Sequence, residues 1–97
     1  MKPYRLVEAV QRDLNEIWEY IARESVDDAN RILDEFDADC TRLAAFPGLG
    51  KIRTDFTDKP FRFWPFYSYF IIYRLETQPL EIVRVLSGYR NIADLSV

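Results

Sequence analysis

Histidine is absent from this 97-residue chain, and cysteine occurs once, at Cys40. Zinc sites and nucleophilic triads lean on imidazole, so its absence argues against both. A single cysteine excludes an internal disulfide framework. No stretch approaches the roughly eighteen uninterrupted apolar residues of a membrane-spanning helix, and the opening MKPYRLVEAVQRD lacks the apolar centre of a secretory signal. A cytoplasmic protein without membrane contact is expected. A basic excess is missing too, since the net charge is −3. Residues 1–50 carry six Lys/Arg against eleven Asp/Glu, while residues 51–97 carry seven against five. That division argues against a general nucleic-acid binder and leaves room for one local cationic patch. Ten of the thirteen positive residues are arginine, whose fork matches carboxylate or phosphate. Internal repeats and low-complexity runs are also absent.

What the chain does have is one short region dense in β-formers. Residues Phe61 to Leu86 read FRFWPFYSYFIIYRLETQPLEIVRVL, broken at Tyr67-Ser68 and Gln78-Pro79. Such a pattern predicts an antiparallel meander with strands near Phe61–Pro65, Tyr69–Leu75 and Leu80–Leu86. Phe70, Ile71, Ile72 and Tyr73 put bulk on both faces of the middle strand, because side chains alternate sides. That strand needs cover above and below.

Upstream, PYRLV at Pro3–Val7 is a plausible first strand. From Ala9 the period changes: Val10, Leu14, Ile17, Trp18, Ile21 and Ala22 recur at three and four, with Arg12, Asp13, Glu16, Glu19 and Arg23 opposite. This is an amphipathic helix. Ser25 and Asp28 then stand three apart in a capping-box arrangement. The second helix carries Ala29, Ile32, Leu33, Phe36, Cys40, Leu43 and Ala44 on one stripe and stops before Pro47. Gly48 to Pro60 reads as a long connection, and Ser87-Gly88 closes the last strand ahead of an irregular tail from Tyr89.

The order is β-α-α-β-β-β, a single α+β domain over residues 1–97. An antiparallel helical hairpin should pack on one face of a mainly antiparallel four-stranded sheet. The opposite face would then display members of Trp64, Phe66, Phe70, Ile72, Ile82 and Leu86, an apolar surface of the kind that marks a protein partner. The acidic set Asp34, Glu35, Asp37 and Asp39 is scattered around its helix by the helical period, so no metal or cofactor is expected. Cys40 and Trp18 fall on buried stripes and read as packing residues.

DLNEIWEYIA at Asp13–Ala22, RLAAFPGLGKIR at Arg42–Arg53, YFIIYR at Tyr69–Arg74 and EIVRVLSGYRN at Glu81–Asn91 together resemble, in order and spacing, the RelE/ParE superfamily of type II toxin–antitoxin systems. The likeness is closer to the ParE branch. It implies a small toxin neutralised by the C-terminal segment of an antitoxin, within a toxin–antitoxin hetero-oligomer. ParE-like members act on DNA gyrase, trapping cleaved DNA, without being enzymes; RelE-like members cut messenger RNA on the ribosome. Ser87 departs from the common ParE-like ending V-L-H-G, standing where the histidine would be.

On this resemblance the antitoxin is expected at Arg62, Trp64, Phe66, Phe70, Arg74 and Arg84. Each of the three arginines lies within a strand, where its stem packs on apolar neighbours and its guanidinium is fixed. The competing role for Arg74 or Arg84 is an internal pair with Glu76 or Glu81 across the hairpin. Gyrase would meet the loop Lys51–Lys59 and the tail Tyr89–Val97, with Lys51, Arg53, Tyr89 and Arg90 foremost. Were the chain a nuclease instead, Lys51, Arg53, Arg62, Arg84, Tyr89 and Arg90 would have to clamp phosphate and move protons. Lysine, tyrosine and glutamate side chains ordinarily titrate near 10.4, 10 and 4.3, far from neutrality. A non-enzymatic gyrase inhibitor is therefore the expected function. The alternatives are a ribosome-dependent endoribonuclease and a degenerate toxin that only binds antitoxin.

Overall fold

A computed structural model describes residues 2–88. The elements run β1 (Tyr4–Leu6), α1 (Glu8–Ala22), α2 (Val26–Ala45), a 3-10 turn (Pro47–Leu49), β2 (Lys51–Ile52), β3 (Phe61–Phe66), β4 (Tyr69–Arg74) and β5 (Leu80–Ser87). The period-based reading of both helices is met. Ser25 caps α2 by accepting the Asp28 amide at 3.1 Å, and Phe46, ahead of Pro47, has left helical geometry at φ −134° and ψ 73°.

The strands form one sheet in the order β1-β5-β4-β3-β2. β1 runs parallel to β5, and the other neighbours are antiparallel. The sheet has five strands rather than the expected four, because Lys51 and Ile52 add a short rung opposite Phe63 and Arg62. Two residues are too few to register as a period. A two-residue turn joins β3 to β4, with Tyr67 in the left-handed region at φ 55°, the backbone hand that matches strand twist.

Alternation from this turn sorts the side chains. Trp64, Phe66, Tyr69, Ile71, Tyr73, Leu80, Ile82 and Val85 join α1 and α2 in the larger core, with Val10, Ile17, Phe36, Cys40 and Leu43. Phe61, Phe63, Ile72, Val83 and Leu86 form a second core on the other face, with Val7, Phe56 and Phe70 packed against it. The expected open face is therefore corrected twice. Trp64, Phe66 and Ile82 lie on the helix side, and opposite them Phe61, Phe63, Ile72, Val83 and Leu86 are at most 7% exposed, with Phe70 half-buried beside them. Phe56, from the connection, lies 5.3 Å from Phe63 and 5.7 Å from Phe70 between ring centroids.

Energy explains the closure. Burying one such side chain is worth about 1.5–3 kcal/mol, so five left open would forgo about 10 kcal/mol, as much as a domain's whole stability. A chain that folds alone has to cover them.

Candidate functional site

At the β1 edge, β5 outlasts its partner. β1 pairs with Leu80–Ile82, and the Val7 amide donates to the Ile82 carbonyl at 3.1 Å. Beyond that point α1 stands in for a strand. Asp13 accepts the Val85 amide at 3.0 Å and both prongs of Arg84, Nε at 2.8 Å and Nη2 at 2.9 Å. A bulge sets this up by leaving Val83 unpaired between Arg84, opposite Ile72, and Ile82, opposite Tyr73; bulges re-aim side chains. Val83 enters the second core and Arg84 turns to α1. The pair is largely removed from water, with side chains 19% and 8% exposed, and Asp13 holds the Arg84 guanidinium above its usual range. In front of it lies a cavity of about 690 Å³ reached by Glu16, Tyr20, Tyr69 and Ser87. To grip a phosphate there, Arg84 would have to abandon a buried carboxylate. The sequence pattern sets Asp13 among the outward charges, but it is 7% exposed.

At the opposite edge, Tyr73 ties down the segment ahead of β2. Its hydroxyl accepts the Gly50 amide at 2.8 Å and donates to the Pro47 carbonyl at 2.5 Å. Arg62 Nη1 donates to the Gly50 carbonyl at 2.8 Å. Both polar groups of Gly50 are thereby used, and a Cβ there would sit 2.5 Å from the Tyr73 oxygen. Burial pushes the Tyr73 hydroxyl's pKa up.

The six residues expected to receive an antitoxin do not share a face. Trp64 and Phe66 pack with the helices, and Trp64 Nε1 donates to Asp39 at 3.1 Å. Phe70 is on the other side. Arg74 lies over the Phe61 ring, 4.9 Å from its centroid, and bonds Glu81 at 3.0 Å. Glu81 also pairs with Arg5 of β1, a row of charges across three strands. The internal-pair reading is thus correct for Arg74. For Arg84 it names the wrong carboxylate, and Arg62 is held by a carbonyl.

Arg53 donates Nε and Nη2 to the Asp55 carboxylate at 3.0 and 2.7 Å, with its guanidinium 4.1 Å from the Phe56 centroid. The Asp55 carboxyl is accordingly held below its usual range. Tyr89 and Arg90 lie outside the described residues. The structure does bring four of the expected site residues together. Lys51, Arg53, Trp64 and Phe70 line one groove of about 340 Å³ with Leu49, Phe63 and Pro65, so residues assigned to antitoxin and to target meet at one place.

A helical hairpin on a mixed sheet, closed at one edge by a helix carboxylate, is the frame on which these groups sit. The family model described as ParE toxin of type II toxin-antitoxin system, parDE, matches residues 4–92. This chain belongs to the ParE toxin family. A search of curated proteins finds no match. Among solved structures, the family fold recurs in one described as the chromosomal ParDE TA system from P. aeruginosa. The match has a TM-score of 0.69 at 15% identity, over 90% of this chain and 96% of that one. At that identity the likeness is one of fold. Among the described residues of this ParE-family chain, no helix is long and apolar enough to cross a membrane.

Proposed function

We propose that this chain is a non-enzymatic toxin that inhibits DNA gyrase and is silenced by a cognate antitoxin. The observation that carries the reading is the ParE family match over nearly the whole chain. The chemistry of the arginines supports it. Cleaving RNA needs a proton acceptor poised near neutrality and cations turned toward a phosphate. The chain has no imidazole, Arg84 is forked onto Asp13, and Arg62 is bonded to the Gly50 carbonyl.

Purified toxin added to gyrase and plasmid should suppress supercoiling and accumulate linear plasmid once the enzyme is denatured. Cells expressing it without antitoxin should filament with a DNA-damage response. Messenger RNA cleavage within minutes, abolished by Arg53→Ala, would overturn the proposal in favour of the endoribonuclease. Arg84→Ala is the poorer probe, because it strands a buried carboxylate and tests folding as much as catalysis. Harmless expression of a folded protein would point to a toxin that retains only its antitoxin contact.

A further inference from the structure

The groove beside β2 is built by an interruption. Running antiparallel to β3, β2 pairs with Phe63 and Arg62 only. One step earlier its chain would lie opposite Trp64 and Pro65, but the 3-10 turn at Pro47–Leu49 carries it away. The vacated space is floored by Phe63, Trp64, Pro65 and Phe70 and walled by Leu49.

Apolar residues continue outside it. Phe46 is 65% exposed and Ile52 54%, on either side of the wall residue Leu49 at 39%, an outward concentration of bulk within seven residues of chain. Large apolar side chains left exposed in this number beside an apolar groove point to an interaction site.

The edge also limits how anything can bind. Phe66 and Tyr69 flank the two-residue turn as a hydrogen-bonded pair, so by alternation Pro65 directs its backbone outward. Proline has no N–H to offer, and an edge proline discourages strand addition. An occupant must hold on by its side chains.

Charge says which ones. Lys51, an exposed residue of the groove lining, makes no ion pair among the described residues. A cation without a carboxylate on the rim of an apolar slot favours a partner offering bulky apolar side chains flanked by Asp or Glu.

We propose that this groove receives the antitoxin through an acidic segment that seats apolar anchors between Leu49 and Phe70 and sets a carboxylate against Lys51. The proposal rests on the antitoxin reading above and deepens it by naming the surface. It shifts the contact from a sheet face, which the chain seals for itself, to the interrupted edge.

The test is calorimetric titration of folded toxin with the antitoxin encoded beside its gene. Lys51→Glu, at an exposed position, should weaken binding about tenfold and remove much of its salt dependence. Leu49→Asp should weaken it about a hundredfold, by placing a charge against the apolar wall. Tyr20→Asp, on α1 and outside the groove, should leave affinity unchanged. Wild-type binding with unaltered affinity in both groove variants would overturn the groove and spare the antitoxin reading. Groove variants that keep the antitoxin but lose gyrase inhibition would assign the surface to the target, again overturning the proposal. Failure of the wild-type toxin to bind the antitoxin would sink both.

Discussion

Among the described residues Asp13 is the one buried charged side chain, and it does two unrelated jobs with one carboxylate. It satisfies the Val85 amide where β5 has run out of strand partner, and it neutralises Arg84. Breaking a buried pair by deleting one member strands the other, at a cost of about 3–5 kcal/mol. Asp13→Ala should lose about that much in urea denaturation. Asp13→Asn, which retains an acceptor for Val85, should lose less. Equal losses would mean that the amide bond contributes little. The sequence held a usable clue: Asp13 stands three residues after Val10 and four before Ile17, both buried, so it lies within the apolar stripe. Its partner could not be read there, because Arg84 is 71 residues away and nothing local links them.

At the scale of elements, the segment from the 3-10 turn through β2 is the least self-sufficient piece of the fold, and Tyr73 holds it. Tyr73→Phe would leave the Gly50 amide and the Pro47 carbonyl without their partner, a loss of about 1–3 kcal/mol. Gly50→Ala drives a methyl into the same hydroxyl and should cost a similar 1–3 kcal/mol, whereas Gly48→Ala meets nothing within 4 Å and should be close to neutral. Thermal melts of the three variants would check this ordering. Each helix was legible because fifteen or twenty residues repeat one period many times. The meander strands were legible from their β-formers and turns. β2 was not, since a two-residue strand exists only through its neighbour β3. The groove beside it, a product of where pairing stops, was equally invisible, although four of its lining residues had been singled out separately.

Over the whole molecule, the misread feature was the sheet's second face. Counting helices suggested one cover for two faces, but the connection reading as polar loop contributes Phe56, and a single aromatic residue leaves no periodic signature. A small part of the molecule's acid response comes from the pinning of Lys2 and Tyr4 to α2. Lys2 bonds Asp37 at 2.7 Å and the Tyr4 hydroxyl donates to the same carboxylate, so Lys2 foremost, then Tyr4, holds the Asp37 carboxyl below its usual range. A depressed folded-state pKa contributes stability above the unfolded value of about 3.9 and loses it as pH falls through the lower, folded one. Melting temperature should therefore fall on acidification below about pH 4, and Asp37→Asn should flatten that fall modestly, because the pair is exposed and screened by salt. An unaltered acid profile in the variant would exclude this linkage.

The parallel register of Tyr4 with Leu80 also sets an order of events during synthesis. β1 is made before β5, the strand that completes it, with both helices and the rest of the sheet in between. Closing so long a loop is entropically slow. The newborn polypeptide thus stays topologically open until β5 has emerged, and only then can the sheet close on β1.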